Sequence, residues 1–168
     1  VNIASLENWE ISKYQSIACA LIRKFYNDEA RRTDIRCREV WRMKLDTDME
    51  ERSYLFGRAL AYARRLEELS QWASGNAPRQ TNAERMQFVF SEHPARTWMT
   101  LYNQLAGSYL GRLRSYGKGY GDCQRYEQEL NQVIKTIGEN GWFNDQPLKP
   151  TFLLGYQSQM WQFHEDLK

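Results

Sequence analysis

The stretch Asp48–Ala73, DMEERSYLFGRALAYARRLEELSQWA, constrains the fold more than any other part of this chain. Leu55, Ala59, Tyr62, Leu66, Leu69 and Ala73 recur at spacings of three and four, so a helix gathers them on one face. Asp48 can cap its start, and Glu50 and Glu51 suit the positive end of the helix dipole. Ser74-Gly75-Asn76 ends it. Gly57 sits inside the helix, where glycine costs roughly 1 kcal/mol relative to alanine. Either another backbone packs close there or the position merely tolerates glycine. Arg58 and Arg65, seven residues apart, lie along one flank of the apolar stripe, as solvated charges or as contacts to a partner.

The other segments are patterned to pack on this helix. Ser5 to about Tyr26 reads as a first helix, with Tyr14, Ile17, Leu21 and Phe25 inward and Arg23 and Lys24 at its cation-favouring end. Asn27 to Lys44 is arginine-rich and weakly periodic, a basic connection with room for a short helix. Ser74 to Thr81 is a polar loop. Asn82 to about Phe90 is a short helix anchored by Met86, Val89 and Phe90, and Pro94 separates it from the next element. Arg96–Tyr116 is a second strong amphipathic helix, with Trp98, Leu101, Tyr102, Leu105, Tyr109, Leu113 and Tyr116 on one face. The loop SYGKGYGD leads to a helix over Cys123–Ile137, with Tyr126, Leu130, Val133 and Ile137 inward and Gly138 as its stop. After a turn-rich linker, Phe152–Leu167 forms the last helix, with Leu153, Tyr156, Met160, Phe163 and Leu167 inward. No strand pattern or internal repeat is present. We therefore expect one all-α domain over residues 1–168: a compact bundle of about five main helices with one or two short ones.

Charge sharpens this reading. The net charge is only +2, but it is segregated. Between Arg23 and Lys44 eight basic residues face four acids, and between Arg96 and Arg125 five face one, while acids collect at Asp46–Glu51 and Glu127–Glu139. A nearly neutral, segregated chain suits a subunit with one face on phosphate and another on protein; scattered solvated arginines give the same count. Aromatic residues make up 14% of the chain, enough to fill a core and leave rings for interfaces or base stacking. Cys19, Cys37 and Cys123 are odd in number and far apart, as expected of reduced thiols in a cytosolic protein. No signal peptide is evident, and the apolar run Ile17–Ile22 is too short for a membrane span.

A search for catalytic chemistry returns little. His93 and His164 lack metal-ligand spacing, so no metal or cofactor is expected. Gly117, Gly119 and Gly121 form a G-x-G-x-G string with no preceding strand and no following Gly-Lys-Ser/Thr, which is not a phosphate loop. Glu67 and Glu68 are adjacent and diverge on a helix. No serine or cysteine has a base partner, so an enzyme ranks low. Nucleic-acid binding has more support. Arg112, Arg114, Tyr116, Lys118, Tyr120 and Arg125 bring cations and rings together around one loop, although the loop also serves simply to join two helices.

The string SYLFGRALAYARRLEEL (Ser53–Leu69) resembles a stretch in the C-terminal region of the large subunit of the subtype I-C CRISPR surveillance complex, Cascade. Three further pieces match in the same order: SIACALIRKFY (Ser16–Tyr26), EHPARTWMTLYNQL (Glu92–Leu105) and FLLGYQSQMWQF (Phe152–Phe163). The chain departs from that pattern at Arg64-Arg65 and at Trp98-Met99, where a second proline is missing. In this family the C-terminal helical region also exists as a separate small subunit made from the same gene. The resemblance implies a cytoplasmic, prokaryotic, non-catalytic subunit of an RNA-guided antiviral complex. Its partners would be the backbone filament subunits, the large subunit and a second copy of itself. It would also meet the guide RNA–target DNA duplex and the displaced strand, with no small-molecule substrate and no membrane. The alternative is a structural adaptor that touches only protein. Glycine followed by arginine belongs to the family pattern, which favours close packing at Gly57 and either an internal acid or a partner for Arg58. The residues expected to meet nucleic acid are Arg112, Arg114 and Lys118, then Arg65, Arg58, Arg23 and Lys24.

Overall fold

The structure, a computed structural model, describes residues 45–75, 79–116 and 120–166, with the side chain of Tyr116 left out. The first helix expected from the sequence, the basic connection after it, and Arg23, Lys24 and Lys118 lie outside the described residues. The described residues are all-α: α1 (Arg52–Ala73), α2 (Asn82–Arg85), α3 (Gln87–Glu92), α4 (Pro94–Gln104), a π turn (Leu105–Tyr109), α5 (Leu110–Tyr116), α6 (Tyr120–Glu139) and α7 (Thr151–Glu165). No strand occurs among them.

Helix α1 is the central element, and it is more deeply buried than its stripe implies. From Ser53 to Ala63 every residue is buried, including Phe56, Leu60 and Ala61, which lie off the 3-4 stripe. The small side chains of Ala59, Ala61 and Ala63 let neighbours approach from several sides at once. α7 and α6 cover the helix along much of its length, and α2, α4, the π turn and α5 cover the rest.

The α1–α7 crossing is glycine on both sides. A Cβ added at Gly57 would stand 2.7 Å from the amide nitrogen of Tyr156, and closer still to the carbonyl oxygen of Phe152. A Cβ added at Gly155 would collide with the carbonyl of Tyr54. The helices meet backbone to backbone, which resolves the choice left open at Gly57. The entropic cost of glycine in a helix is offset by this contact. Two aromatic clusters flank the crossing. Phe90 stacks on Phe152 with centroids 5.8 Å apart and meets Phe56 edge-on at 5.9 Å. Beyond it, Phe163 packs against Tyr126 at 4.9 Å and Tyr62 at 5.1 Å. Such edge-to-face pairs contribute about 0.5–1.5 kcal/mol each beyond burial.

Several helix boundaries differ from the sequence reading, each for a local reason. α1 starts at Arg52, and its cap is Glu51, not Asp48. The Glu51 carboxylate accepts from the Tyr54 amide (2.9 Å) and from the Thr151 hydroxyl (2.7 Å). That second bond comes from α7, so tertiary structure selects the longer side chain. Asp48 instead turns its amide onto Asp46 (3.0 Å). The single helix expected over Asn82–Phe90 is two, broken at Met86. A capping box between Thr81 and Glu84 starts the first of them. Of its three expected anchors Phe90 is buried, while Val89 faces outward.

The helix expected over Arg96–Tyr116 starts at Pro94, which suits a first helical position, and is interrupted by the π turn. Trp98, Leu101, Leu105 and Leu113 remain buried, whereas Tyr102 turns outward. α6 begins at Tyr120, inside the expected loop and three residues before the expected start at Cys123. It also runs through Gly138 to Glu139, and the stop is Gly141 at φ 65°.

The linker 140–150 is tied to α1 by Arg52, a residue the sequence reading passed over. Its Nε donates to the Trp142 carbonyl (3.2 Å), and its Nη2 lies 2.8 Å from the Asn144 carbonyl and 2.9 Å from that of Gln146. The guanidinium also sits over the Phe56 ring, 5.2 Å from its centroid.

Candidate nucleic-acid interface

The arginines separate into those engaged within the fold and those left at its surface. Arg112, on α5, is exposed and makes no ion pair among the described residues. Arg114, two residues on, is exposed but turns toward α6, where its Nη2 lies 3.2 Å from Glu127 Oε1. Arg125 lies over the Tyr126 ring at 4.7 Å and is 3.6 Å from both Asp122 and Asp166. Arg96 is bound to Asp145 at 2.6 Å. The five-to-one basic excess of Arg96–Arg125 is therefore largely neutralised by acids from α6, α7 and the linker. Of the expected loop cluster, Arg112 is the unopposed cation among the described residues, with the exposed ring of Tyr120 on α6.

Arg58 and Arg65 do not share a surface. Arg58 is 9% exposed, and its Nε donates to the Gln159 amide oxygen on α7 at 3.1 Å. Its partner is an amide where the sequence reading offered an internal acid or an external partner. Its charge borders a cleft of about 530 Å³ that also touches Tyr62, Arg125 and Glu129. There the Tyr62 hydroxyl donates to Glu129 Oε2 at 2.8 Å. Burial first, and then the Glu129 charge, push that hydroxyl well above the ordinary tyrosine range.

Arg65 borders a different cleft, of about 700 Å³, beside the C-terminal end of α1 and the residues that lead into α2. Its neighbour Arg64 organises that wall. Arg64 Nε bonds Glu68 at 2.7 Å, Nη2 bonds Glu84 at 2.9 Å and Nη1 donates to the Tyr156 hydroxyl at 2.8 Å. Arg65 reaches the second oxygen of Glu68 at 3.3 Å. Arg79 faces the same cleft, its backbone amide donating to Gln71 at 2.9 Å.

Adjacent to this wall is a polar network that sequence reasoning missed. Glu67, 5% exposed, accepts from the Asn82 amide (2.7 Å) and from the Tyr109 hydroxyl (3.1 Å). Asn82 Nδ2 donates in turn to the Tyr109 oxygen (2.7 Å). Burial raises the Glu67 carboxyl above its ordinary range despite these donors. The signal available was the row Ala63, Glu67 and Ser70, whose 3-4 spacing continues a second buried face. Among the described residues, no group of three or more His, Cys, Asp or Glu side chains could hold a metal ion. No helix of the described residues is long and apolar enough to cross a membrane.

The family model described as CRISPR-associated protein (Cas_Csd1) matches residues 6–164, nearly the whole chain. The chain belongs to this CRISPR-associated family. No curated protein and no solved structure matches it. In this Cas_Csd1 member Arg112 is exposed without an ion pair among the described residues, while Arg114 and Arg125 are engaged by acids.

Proposed function

We propose that this chain is a non-catalytic subunit of a type I-C CRISPR surveillance complex, either the separate small subunit or the C-terminal domain of the large subunit. In this reading it packs along the backbone filament and stabilises opened target DNA, chiefly the displaced strand. The observation that carries the proposal is the family match over residues 6–164. The exposed, unopposed Arg112 supports it, since backbone phosphate needs cations not already spent on internal acids. In this role the chain performs no bond chemistry of its own. Guide pairing reads the sequence, and the protein favours the open form.

The test is binding of a DNA bubble by the assembled complex across a salt series, with and without this chain. Loss of the chain should weaken binding and flatten the salt dependence. Unchanged affinity and slope would end this account. A second reading, a structural adaptor for protein partners, is favoured by one observation. Phe88 on α3 is 70% exposed, and Val89, Met99 and Tyr102 on α3 and α4 also face outward. In that case, substituting these residues should disrupt assembly while leaving DNA affinity negligible throughout.

A further inference from the structure

We propose that Arg85 on α2 and Arg112 on α5 together seat the phosphate backbone of a nucleic-acid strand. This inference rests on the reading that the chain contacts opened DNA, and it gives that contact a place and a second cation.

The two arginines flank one buried network. Glu67 on α1 accepts from the Asn82 amide at 2.7 Å and from the Tyr109 hydroxyl at 3.1 Å, and Asn82 Nδ2 donates to the Tyr109 oxygen at 2.7 Å. Arg85 joins on one side, where its Nη2 donates to Asn82 Oδ1. Arg112 follows Tyr109 by three residues, and side chains three apart on a helix are neighbours. The electrostatics agree with this placement. Burial raises the Glu67 carboxyl, and the Arg85 charge opposes that rise. Burial, and then the Glu67 charge, raise the Tyr109 hydroxyl, and the Arg112 charge opposes it.

Positive charge is in excess here. Two guanidinium groups stand beside one carboxylate, and that carboxylate, Glu67, is 5% exposed and turned inward onto Asn82 and Tyr109. Arg85 and Arg112 are both exposed and make no ion pair among the described residues. Glu84, next to Arg85 in the chain, is bound to Arg64 at 2.9 Å. Glu127, which α6 brings to α5, is taken by Arg114 at 3.2 Å, and no acid lies within four residues of Arg112 in sequence. Guanidinium groups match phosphate geometry. Because Asn82 and Tyr109 are both bonded to Glu67, the fold sets the spacing between α2 and the start of α5, and the seat is preformed.

The experiment uses the full chain and a fluorescein-labelled oligothymidine, read by anisotropy across a salt series. Each phosphate neutralised on a single strand contributes about 0.7 to the salt slope. Arg85→Gln and Arg112→Gln should each lower the slope by about 0.7, and the double variant by about 1.4. Arg85→Lys and Arg112→Lys keep the charge and should keep the slope. Arg96→Gln is the control: Arg96 is already bound to Asp145 at 2.6 Å, so the slope should not change. Arg85 and Arg112 are exposed, so each variant should melt with the parent.

If the wild-type chain binds the strand and either Arg85→Gln or Arg112→Gln keeps its slope, the two-arginine seat falls and the DNA-contact reading stands. If Arg96→Gln lowers the slope as much as they do, binding is spread over the surface and the seat falls as well. If hexaglutamate displaces the strand as readily as unlabelled oligothymidine of equal charge, the seat takes acidic protein and the assignment falls. Failure of the wild-type chain to bind the strand, both alone and in the assembled complex, overturns both.

Discussion

Gly57 of α1 and Gly155 of α7 lie in one backbone-to-backbone crossing, each filling the place where the other helix would meet a side chain. A methyl group at either position collides with main-chain atoms, which have no rotamer to escape into. Gly57→Ala and Gly155→Ala should each destabilise the fold by at least about 1–3 kcal/mol. The double variant should cost less than the sum, because one separation of the helices relieves both clashes. Gly138→Ala is the control. Its added carbon would meet only the Phe143 ring at 3.8 Å, and it should be neutral or stabilise by about 0.4–1 kcal/mol. Chemical denaturation of the three variants checks this.

The acid side of the stability curve should report Glu51. Burial alone would raise its carboxyl, but the Thr151 hydroxyl and the amides of Tyr54 and Ser53 outweigh burial and hold it below 4.5. A carboxyl lowered by folding stabilises the native state above its unfolded pKa, and that stabilisation is lost as pH falls through the folded value. Glu51→Gln should therefore be less stable at neutral pH and lose less on acidification. Melting temperatures between pH 7 and pH 3 would show the two curves converging.

Glu67 should behave in the opposite sense. Its carboxyl is raised by burial, so the folded state carries a cost while the group is ionised. That cost diminishes as pH falls through the folded value toward 4.5. Glu67→Gln keeps an acceptor for the Asn82 amide, presents its NH2 to the Tyr109 oxygen as a donor, and removes the charge. It should be at least as stable as the parent at pH 7, with the advantage shrinking as pH falls toward 4.5. Glu67→Leu leaves the Asn82 amide without its acceptor and should cost about 1–3 kcal/mol.

Arg112 and Arg114 should separate under charge reversal. Arg112→Glu touches no ion pair among the described residues, so stability should stay within about 0.5 kcal/mol. If it meets phosphate, the salt slope of DNA binding should fall by about one. Arg114→Glu places a carboxylate against Glu127 and should cost up to about 1 kcal/mol of stability. Parallel denaturation and bubble-binding titrations distinguish the two residues.

Arg52→Ala should release the linker from α1. The guanidinium holds carbonyls of Trp142, Asn144 and Gln146, and bonds to charged donors contribute about 1.5–3 kcal/mol where shielded and less where exposed. We expect about 1–3 kcal/mol of lost stability and new protease cleavage within residues 140–150, read by limited proteolysis.

The amphipathic elements were legible in the sequence because their periodicity reports burial directly, as at Tyr126, Leu130, Val133 and Ile137. Gly57 was legible as an anomaly, but its counterpart Gly155 was not, since nothing local states which helices cross. The cap at Glu51 was misassigned to Asp48 for the same reason. Its deciding bond comes from Thr151, a hundred residues away in sequence. The expected basic patch counted cations along the chain, whereas the acids that neutralise Arg114 and Arg125 are brought in by folding. Glu67 reads in the sequence only as one of two adjacent acids that diverge on a helix, and its contact with Tyr109 reveals it as internal.

The π turn at Leu105–Tyr109 behaves as a phase adjuster between two halves of one rod. A π turn is an α-helix that has accepted one extra residue, and each residue in a regular α-helix advances the direction of later side chains by about 100°. Five residues of the wider turn advance the chain by nearly the same angle as four of a regular helix, about 400°. Removing a single residue from this turn should therefore restore a regular helix and leave α5 facing as it does, with Leu113 in the core and Arg112 at the surface. The same deletion within α5 before Arg112 has no such slack and should swing both side chains by about 100°. A family member with a one-residue gap at this turn should present the same side chains to its surroundings.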